Sequence, residues 1–260
     1  MAVTLEVMSN DLAEREKRKV AAERVKNSTE FDGKLPDLKL LAFLDDGDDP
    51  DVKRDYGRAR GISGPIRANS PTMKWLVDPI LGMPRRLRDD YGIYLHGSTC
   101  ADEIALTMTF AHELQHFVQY GFKRKLWAVS RLIRELAMET QVKERLNWPD
   151  IPHEREARIV AKRVGVNLLG DDRVRDYIAL RISENVSVED VEDWRFSLDV
   201  DPSAPYDLAT ETGRVLRRLT PYRNELEYVL QTMKSKFPGD YKDVDLSAYF
   251  DVSPEHPDLS

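Results

Sequence analysis

The sequence contains very little cysteine and no long apolar run. Its single cysteine, Cys100, cannot form an internal disulfide, so nothing in the composition indicates an oxidising compartment. No apolar stretch approaches the roughly 20 residues that a membrane-spanning helix needs. The charged N-terminal segment also lacks the apolar core of a signal peptide. The sequence therefore predicts a cytoplasmic protein that does not associate with a membrane.

Basic residues are in the minority. The chain has 39 Lys and Arg against 46 Asp and Glu, which gives a net charge of −7. A surface that binds nucleic acid without regard to sequence has to be basic, so this balance disfavours a nucleic-acid partner. Charged residues make up 33% of the 260 positions and apolar residues 41%. This composition predicts a core of useful size beneath a heavily charged, largely helical surface.

Histidine is also scarce, yet two of the five histidines stand four residues apart, at His112 and His116. Apolar periodicity predicts a helix over about 100–120 that contains both. Residues four apart share one helix face, so the two imidazoles can bind one metal ion. Glu113 projects about 100° away from His112 and can act as a general base on water. The pattern H-E-x-x-H on a helix is typical of zinc metallohydrolases.

The ends of this helix also have sequence signals. Thr99 followed three residues later by Asp102 fits a capping box at the helix start. Gly121 fits a C-terminal cap. The motif is therefore expected in the middle of a well-bounded helix, after a strand.

A catalytic zinc needs a third protein ligand and an open position. We favour Glu156 at the front of a later helix, with Glu135, Glu139 and His153 as alternatives. If Glu156 points inward, Glu154 faces away, since two residues turn a helix by about 200°.

The motif His-Glu-Leu-Gln-His, followed by Pro-His-Glu-Arg-Glu-Ala-Arg at 152–158, resembles the gluzincin-type zincin metallopeptidases. Among these it is most similar to the minimal, ImmA/IrrE-like group, and the resemblance covers about 91–167. It implies a zincin fold, a Zn²⁺ cofactor and a peptide or protein substrate. It also implies His112, His116 and Glu156 as zinc ligands and Glu113 as the general base.

The expected fold class is α+β, with a small zincin-type sheet of three or four strands from 36–96 packed on the motif helix. Strands are predicted at Leu38–Leu44, Met73–Val77 and Tyr91–His96. Further helices are predicted at about 123–146, 150–166, 172–184, 187–195, 208–219 and 221–236. The predicted domains are a charged helical N-terminal extension (1–35), a zincin-like catalytic domain (36–170), a helical region (171–237) and a polar tail (238–260).

The predicted function is a zinc-dependent peptidase, in which the edge of the Tyr91–His96 strand receives an extended peptide. An oxyanion stabiliser is also expected. Its candidates are His153, Tyr120, Tyr222, Arg223 and Tyr241. The alternative is a zincin-fold metal-binding module that regulates or binds a partner without turnover. Cleavage specificity and oligomeric state are left open by the sequence.

Overall fold

The protein's structure is a computed structural model that describes residues 5–8, 11–44, 60–65, 91–139, 146, 150–184 and 188–250. Its strands are β1 (Leu5–Met8), β2 (Leu40–Leu44), β3 (Gly61–Pro65) and β4 (Tyr91–Leu95). Its longer helices are α1 (Leu12–Lys26), α3 (Glu103–Phe122), α4 (Arg124–Glu139), α5 (Pro152–Leu169), α6 (Asp171–Glu184), α7 (Val188–Asp199), α8 (Leu208–Arg218) and α9 (Arg223–Lys236). Its short helical turns are α2 (Gly97–Cys100), a 3₁₀ turn (Thr220–Tyr222), α10 (Pro238–Tyr241) and α11 (Ser247–Phe250). This mainly helical chain with one small mixed sheet confirms the α+β class.

The four strands form one sheet in the order β1-β2-β4-β3. β1, β2 and β4 run parallel, and β3 runs antiparallel to β4. β2 and β4 are buried along their whole length, as expected for inner strands with almost continuous apolar sequence. The strands predicted at 38–44 and 91–96 are thereby confirmed. The strand predicted at Met73–Val77 lies outside the described residues.

The internal contacts of the chain divide it into two compact units. The first unit comprises Met1–Phe122 and Ala157–Ala204, and the second comprises Lys123–Glu156 and Pro205–Ser260. These divisions differ from the predicted boundaries at 35, 170 and 237. In particular, α1 packs on α3 within the first unit, with Ala22 and Val25 buried.

The motif helix α3 begins at a different cap from the predicted one. Asp102 caps it, because its Oδ1 accepts the backbone N–H groups of Ile104 and Ala105 at 2.9 and 2.8 Å. Thr99 lies in the separate turn α2 and donates its hydroxyl to the Arg60 carbonyl at 3.1 Å. The helix therefore starts three residues later than predicted.

The end of α3 also differs from the prediction, because Gly121 is not a left-handed cap. The helix continues to Phe122, and Gly121 is absent from the residues with positive φ. A side chain at Gly121 would instead collide with the ring of Pro36. This glycine is required because the segment before β2 crosses the helix closely.

The second unit includes α4 and α8–α11. Within it, α9, α8 and α10 pack against α4. At the start of α4, the guanidinium of Arg124 forms an ion pair with buried Asp240 of α10, with Nη2 and Oδ1 2.6 Å apart. Tyr241, Val244 and Leu246 are also buried. Residues 238–250 of the predicted polar tail therefore pack within this unit, while 140–145 and 251–260 lie outside the described part of the chain.

Candidate metal centre

The motif helix brings the two histidine side chains together. The Nε2 atoms of His112 and His116 lie 3.1 Å apart, with the rings perpendicular and their centroids 4.7 Å apart. Two nitrogens that bind one tetrahedral zinc at about 2.0–2.1 Å are separated by roughly 3.3 Å. The observed separation therefore fits two ligands of the same ion.

Gln119 determines which nitrogen of His116 is available to a metal. His116 Nδ1 lies 2.8 Å from Gln119 Oε1, and both side chains are buried. An amide oxygen can only accept, so Nδ1 carries the hydrogen and Nε2 carries the lone pair. Sequence analysis missed Gln119, although its position three residues after a ligand histidine on a helix was a usable signal.

Glu154, in the first turn of α5, completes a group of three possible ligands. The ligand atoms of His112, His116 and Glu154 all lie within 4.8 Å of one another, and such a group could hold a metal ion. His116 and Glu154 are buried, and His112 is half-buried. This donor set of two imidazoles and one carboxylate fits the chemistry of zinc.

The predicted third ligand, Glu156, is not part of this group. Its Oε1 forms an ion pair with Lys123 Nζ at 3.0 Å within the second unit. Glu154 and Glu156 are two residues apart on one helix and therefore point to different sides. Of the other candidates, Glu135 pairs with Arg131 at 3.6 Å, and the side chain of Glu139 lies outside the described residues.

His153 lies between Ser130 and Glu154 in a buried set of polar contacts in the second unit. Its Nδ1 lies 2.7 Å from Ser130 Oγ, and its Nε2 lies 3.3 Å from Glu154 Oε1. The backbone N–H of His153 also donates to Ser130 Oγ at 3.0 Å. His153 is thus a neighbour of the candidate ligand Glu154 and is not one of the group of three.

The other predicted oxyanion stabilisers lie in ordinary packing and ion-pair environments. Tyr120 packs against Tyr91, with ring centroids 5.4 Å apart. Burial raises the pKa of Tyr241 to about 12. Arg223 Nε pairs with Glu227 at 3.0 Å, and Tyr222 ends the 3₁₀ turn. These contacts assign no catalytic role to any of the four.

Glu113 is buried beside the first residue of β3. A Cβ on Gly61 would lie 2.5 Å from Leu95 Cδ2, 2.9 Å from Thr109 Cγ2 and 3.2 Å from Glu113 Cγ, so a larger residue would require these side chains to shift. The backbone of β3 therefore runs directly past the candidate base.

The strand next to this base, β3, is also one of the two outer strands of the described sheet. β4 is paired on both sides, by β2 and by β3, so the prediction that the Tyr91–His96 strand forms the edge is wrong. The His96 N–H donates to the Arg60 carbonyl at 3.2 Å. Since antiparallel pairs alternate, Gly61 and Ser63 direct their backbone groups away from β4. Among the described strands, none pairs with this outer side of β3.

No protein-family model, curated protein or solved structure matches this chain. The likeness to zincins is therefore carried by the motif residues alone. Among the helices that the structure describes, none is long and apolar enough to cross a membrane.

Proposed function

We propose that this chain is a zinc-dependent metallohydrolase that acts as a peptidase. His112, His116 and Glu154 are the proposed ligands, and Glu113 is the proposed general base. The observation that carries this proposal is the 3.1 Å approach of the two Nε2 atoms on a helix whose next residue is a buried glutamate.

The choice of zinc follows from the donor set. Two neutral imidazoles and one carboxylate are typical of catalytic zinc sites, which keep a fourth position open, whereas magnesium and calcium prefer oxygen ligands. When bound, zinc would lower the pKa of a coordinated water towards neutrality and polarise a substrate carbonyl. The hydrogen bond from His116 to Gln119 supports this proposal, because it leaves Nε2 unprotonated in advance of binding.

Glu113 supplies the proton transfers of the proposed reaction. Its carboxylate would accept a proton from the attacking water and then return it to the leaving amine. It is one residue from His112, so it can work beside the ligands without belonging to the group of three. Its burial against β3 restricts its side-chain freedom.

A peptide substrate is favoured by the outer strand. The outward backbone groups of Gly61 and Ser63 offer hydrogen bonds to an extended chain added alongside β3. Such a chain would run past Glu113, because Gly61 is the residue of β3 that contacts this side chain.

The test is to measure zinc content and peptide cleavage on the same preparations. Elemental analysis after zinc-replete purification should give about one zinc per chain, and a mixed library of quenched fluorescent peptides reports turnover. His116→Ala should lose both zinc and cleavage. Glu113→Gln should keep zinc and lose cleavage, because it removes the base but no ligand.

The matched control is Glu103→Gln, the same chemical change on the same helix at its exposed first turn. It should keep both properties. Wild-type protein without zinc would overturn the proposal. Stoichiometric zinc with cleavage unchanged in Glu113→Gln would overturn the role of Glu113. Stoichiometric zinc without turnover of any peptide would favour the regulatory or partner-binding module.

A further inference from the structure

We propose that Ser130 and His153 are positioning residues that orient Glu154 for metal binding. This inference rests on the proposed metal centre. It is carried by three side chains of the second unit that contact one another in turn. Ser130 Oγ hydrogen-bonds to His153 Nδ1, and His153 Nε2 lies 3.3 Å from Glu154 Oε1.

The direction of each hydrogen bond follows from the chemistry of the hydroxyl. Ser130 Oγ accepts the backbone N–H of His153 at 3.0 Å, and its single hydrogen is then available for His153 Nδ1 at 2.7 Å. Because Nδ1 accepts, the neutral imidazole carries its hydrogen on Nε2. The nitrogen that carries the hydrogen, Nε2, is therefore the one that contacts Glu154 Oε1, at 3.3 Å.

Burial strengthens the polar contacts among Ser130, His153 and Glu154. Ser130, His153 and Glu154 are 0%, 3% and 6% exposed, so water does not compete with them. A buried carboxylate is costly unless it is hydrogen-bonded, and its place in the first turn of α5 adds the favourable helix dipole. The contact with His153 Nε2 at Oε1 thus restrains the orientation of the Glu154 carboxylate.

The experiment compares two changes at His153, of which only one keeps a hydrogen-bond donor within reach of Glu154. His153→Gln places an amide N–H near the former Nε2, whereas His153→Asn is too short to reach Glu154. Ser130→Ala removes the hydroxyl that fixes the tautomer. Zinc affinity of the full chain is measured by competition with a chromophoric chelator.

We expect His153→Asn and Ser130→Ala to bind zinc about 10- to 100-fold more weakly, the usual effect of losing a partner of a metal ligand. His153→Gln should recover most of this affinity. Ser197→Ala is the control, since it also removes a buried hydroxyl but in the first unit, where Ser197 donates to the Asp193 carbonyl. It should bind zinc like the wild type.

Thermal unfolding of the zinc-free proteins separates positioning from a purely structural role. A structural role would lower stability in all these variants without selectively lowering zinc affinity. Equal zinc affinity of wild type, His153→Asn and Ser130→Ala would overturn the inference while leaving the proposed function intact. His153→Asn removes the contact with Glu154, whereas Ser130→Ala removes the hydrogen bond to His153. The inference can therefore be tested with either variant, provided that it folds. Wild-type protein that binds no zinc would overturn the metal centre itself.

Discussion

His116 Nδ1 donates a hydrogen bond to Gln119 Oε1 at 2.8 Å, one turn further along α3. Gln119 is fully buried, so its amide is held in place by the surrounding core. This pair connects the folding of the helix to its chemistry, because the same bond satisfies a buried polar group and leaves Nε2 available as a ligand.

Replacing Gln119 with Leu should weaken zinc binding about 10- to 100-fold, because the imidazole loses its preferred tautomer and orientation. It should also cost about 1–3 kcal/mol of stability, since a buried N–H is left without an acceptor. Chelator competition and denaturant unfolding of the zinc-free protein measure the two effects. Gln115→Leu is the same change at another buried glutamine of α3 and should retain zinc affinity. Equal zinc affinity in both variants would count against the role of Gln119.

The same substitution at Glu154 and at Glu156 is expected to have opposite effects on zinc content. Glu154→Gln should lose stoichiometric zinc, because it replaces an anionic ligand with a neutral amide. Glu156→Gln should keep zinc and lose only the ion pair with Lys123. Elemental analysis of both purified variants decides between them. The reverse result would restore Glu156 as the third ligand.

The parts of the fold with strong local signals could be predicted from the sequence. The motif helix has an apolar period and a nearby cap, and β2 and β4 are apolar runs with turn residues before them. The predicted cap residue was wrong, because the side-chain oxygen of Asp102 rather than that of Thr99 accepts the helix N–H groups.

The parts that depend on tertiary contact could not be predicted. Gly61–Pro65 has no strand-like side-chain pattern, and it forms β3 because glycine permits its close approach to α3. The choice between Glu154 and Glu156 depends on the rotation of α5 about its axis. This rotation places Glu156 in an ion pair with Lys123 and Glu154 in contact with His153. Spacing along the chain does not report this rotation, so the sequence favoured Glu156, whereas the group that could hold a metal ion contains Glu154.

Asp207 should make the stability of the second unit depend on acid pH. It caps α8, accepting the Ala209 N–H at 3.1 Å and the Thr210 hydroxyl at 2.6 Å, and these bonds lower its pKa below the ordinary 3.8. A lowered carboxyl pKa adds stability above pH 3.8, and this stability is lost as the pH falls through the folded-state pKa. Asp207→Ala should cost about 1 kcal/mol at neutral pH.

Asp207→Asn separates the cap from the charge. Asparagine caps helices about as well as aspartate, so this variant should keep most of the stability at neutral pH. It cannot titrate, so its unfolding free energy should fall less than that of the wild type between pH 4 and pH 2. Urea unfolding across this range measures the difference. Parallel curves for Asp207→Asn and wild type would exclude the carboxyl as the source of the acid dependence.

Peptide binding along the outer side of β3 can be tested by removing a single backbone N–H group. Ser63 directs this group away from β4, so Ser63→Pro removes it without removing a hydrogen bond between β3 and β4. If an extended peptide binds there, one lost hydrogen bond of about 1 kcal/mol should lower kcat/KM roughly fivefold, mainly through KM. Ser63→Ala is the matched control, because it removes only the hydroxyl that contacts Tyr91 at 3.1 Å. Unchanged kinetics in Ser63→Pro, with zinc and stability retained, would exclude strand addition at this edge and would direct the search for the substrate path to other surfaces beside Glu113.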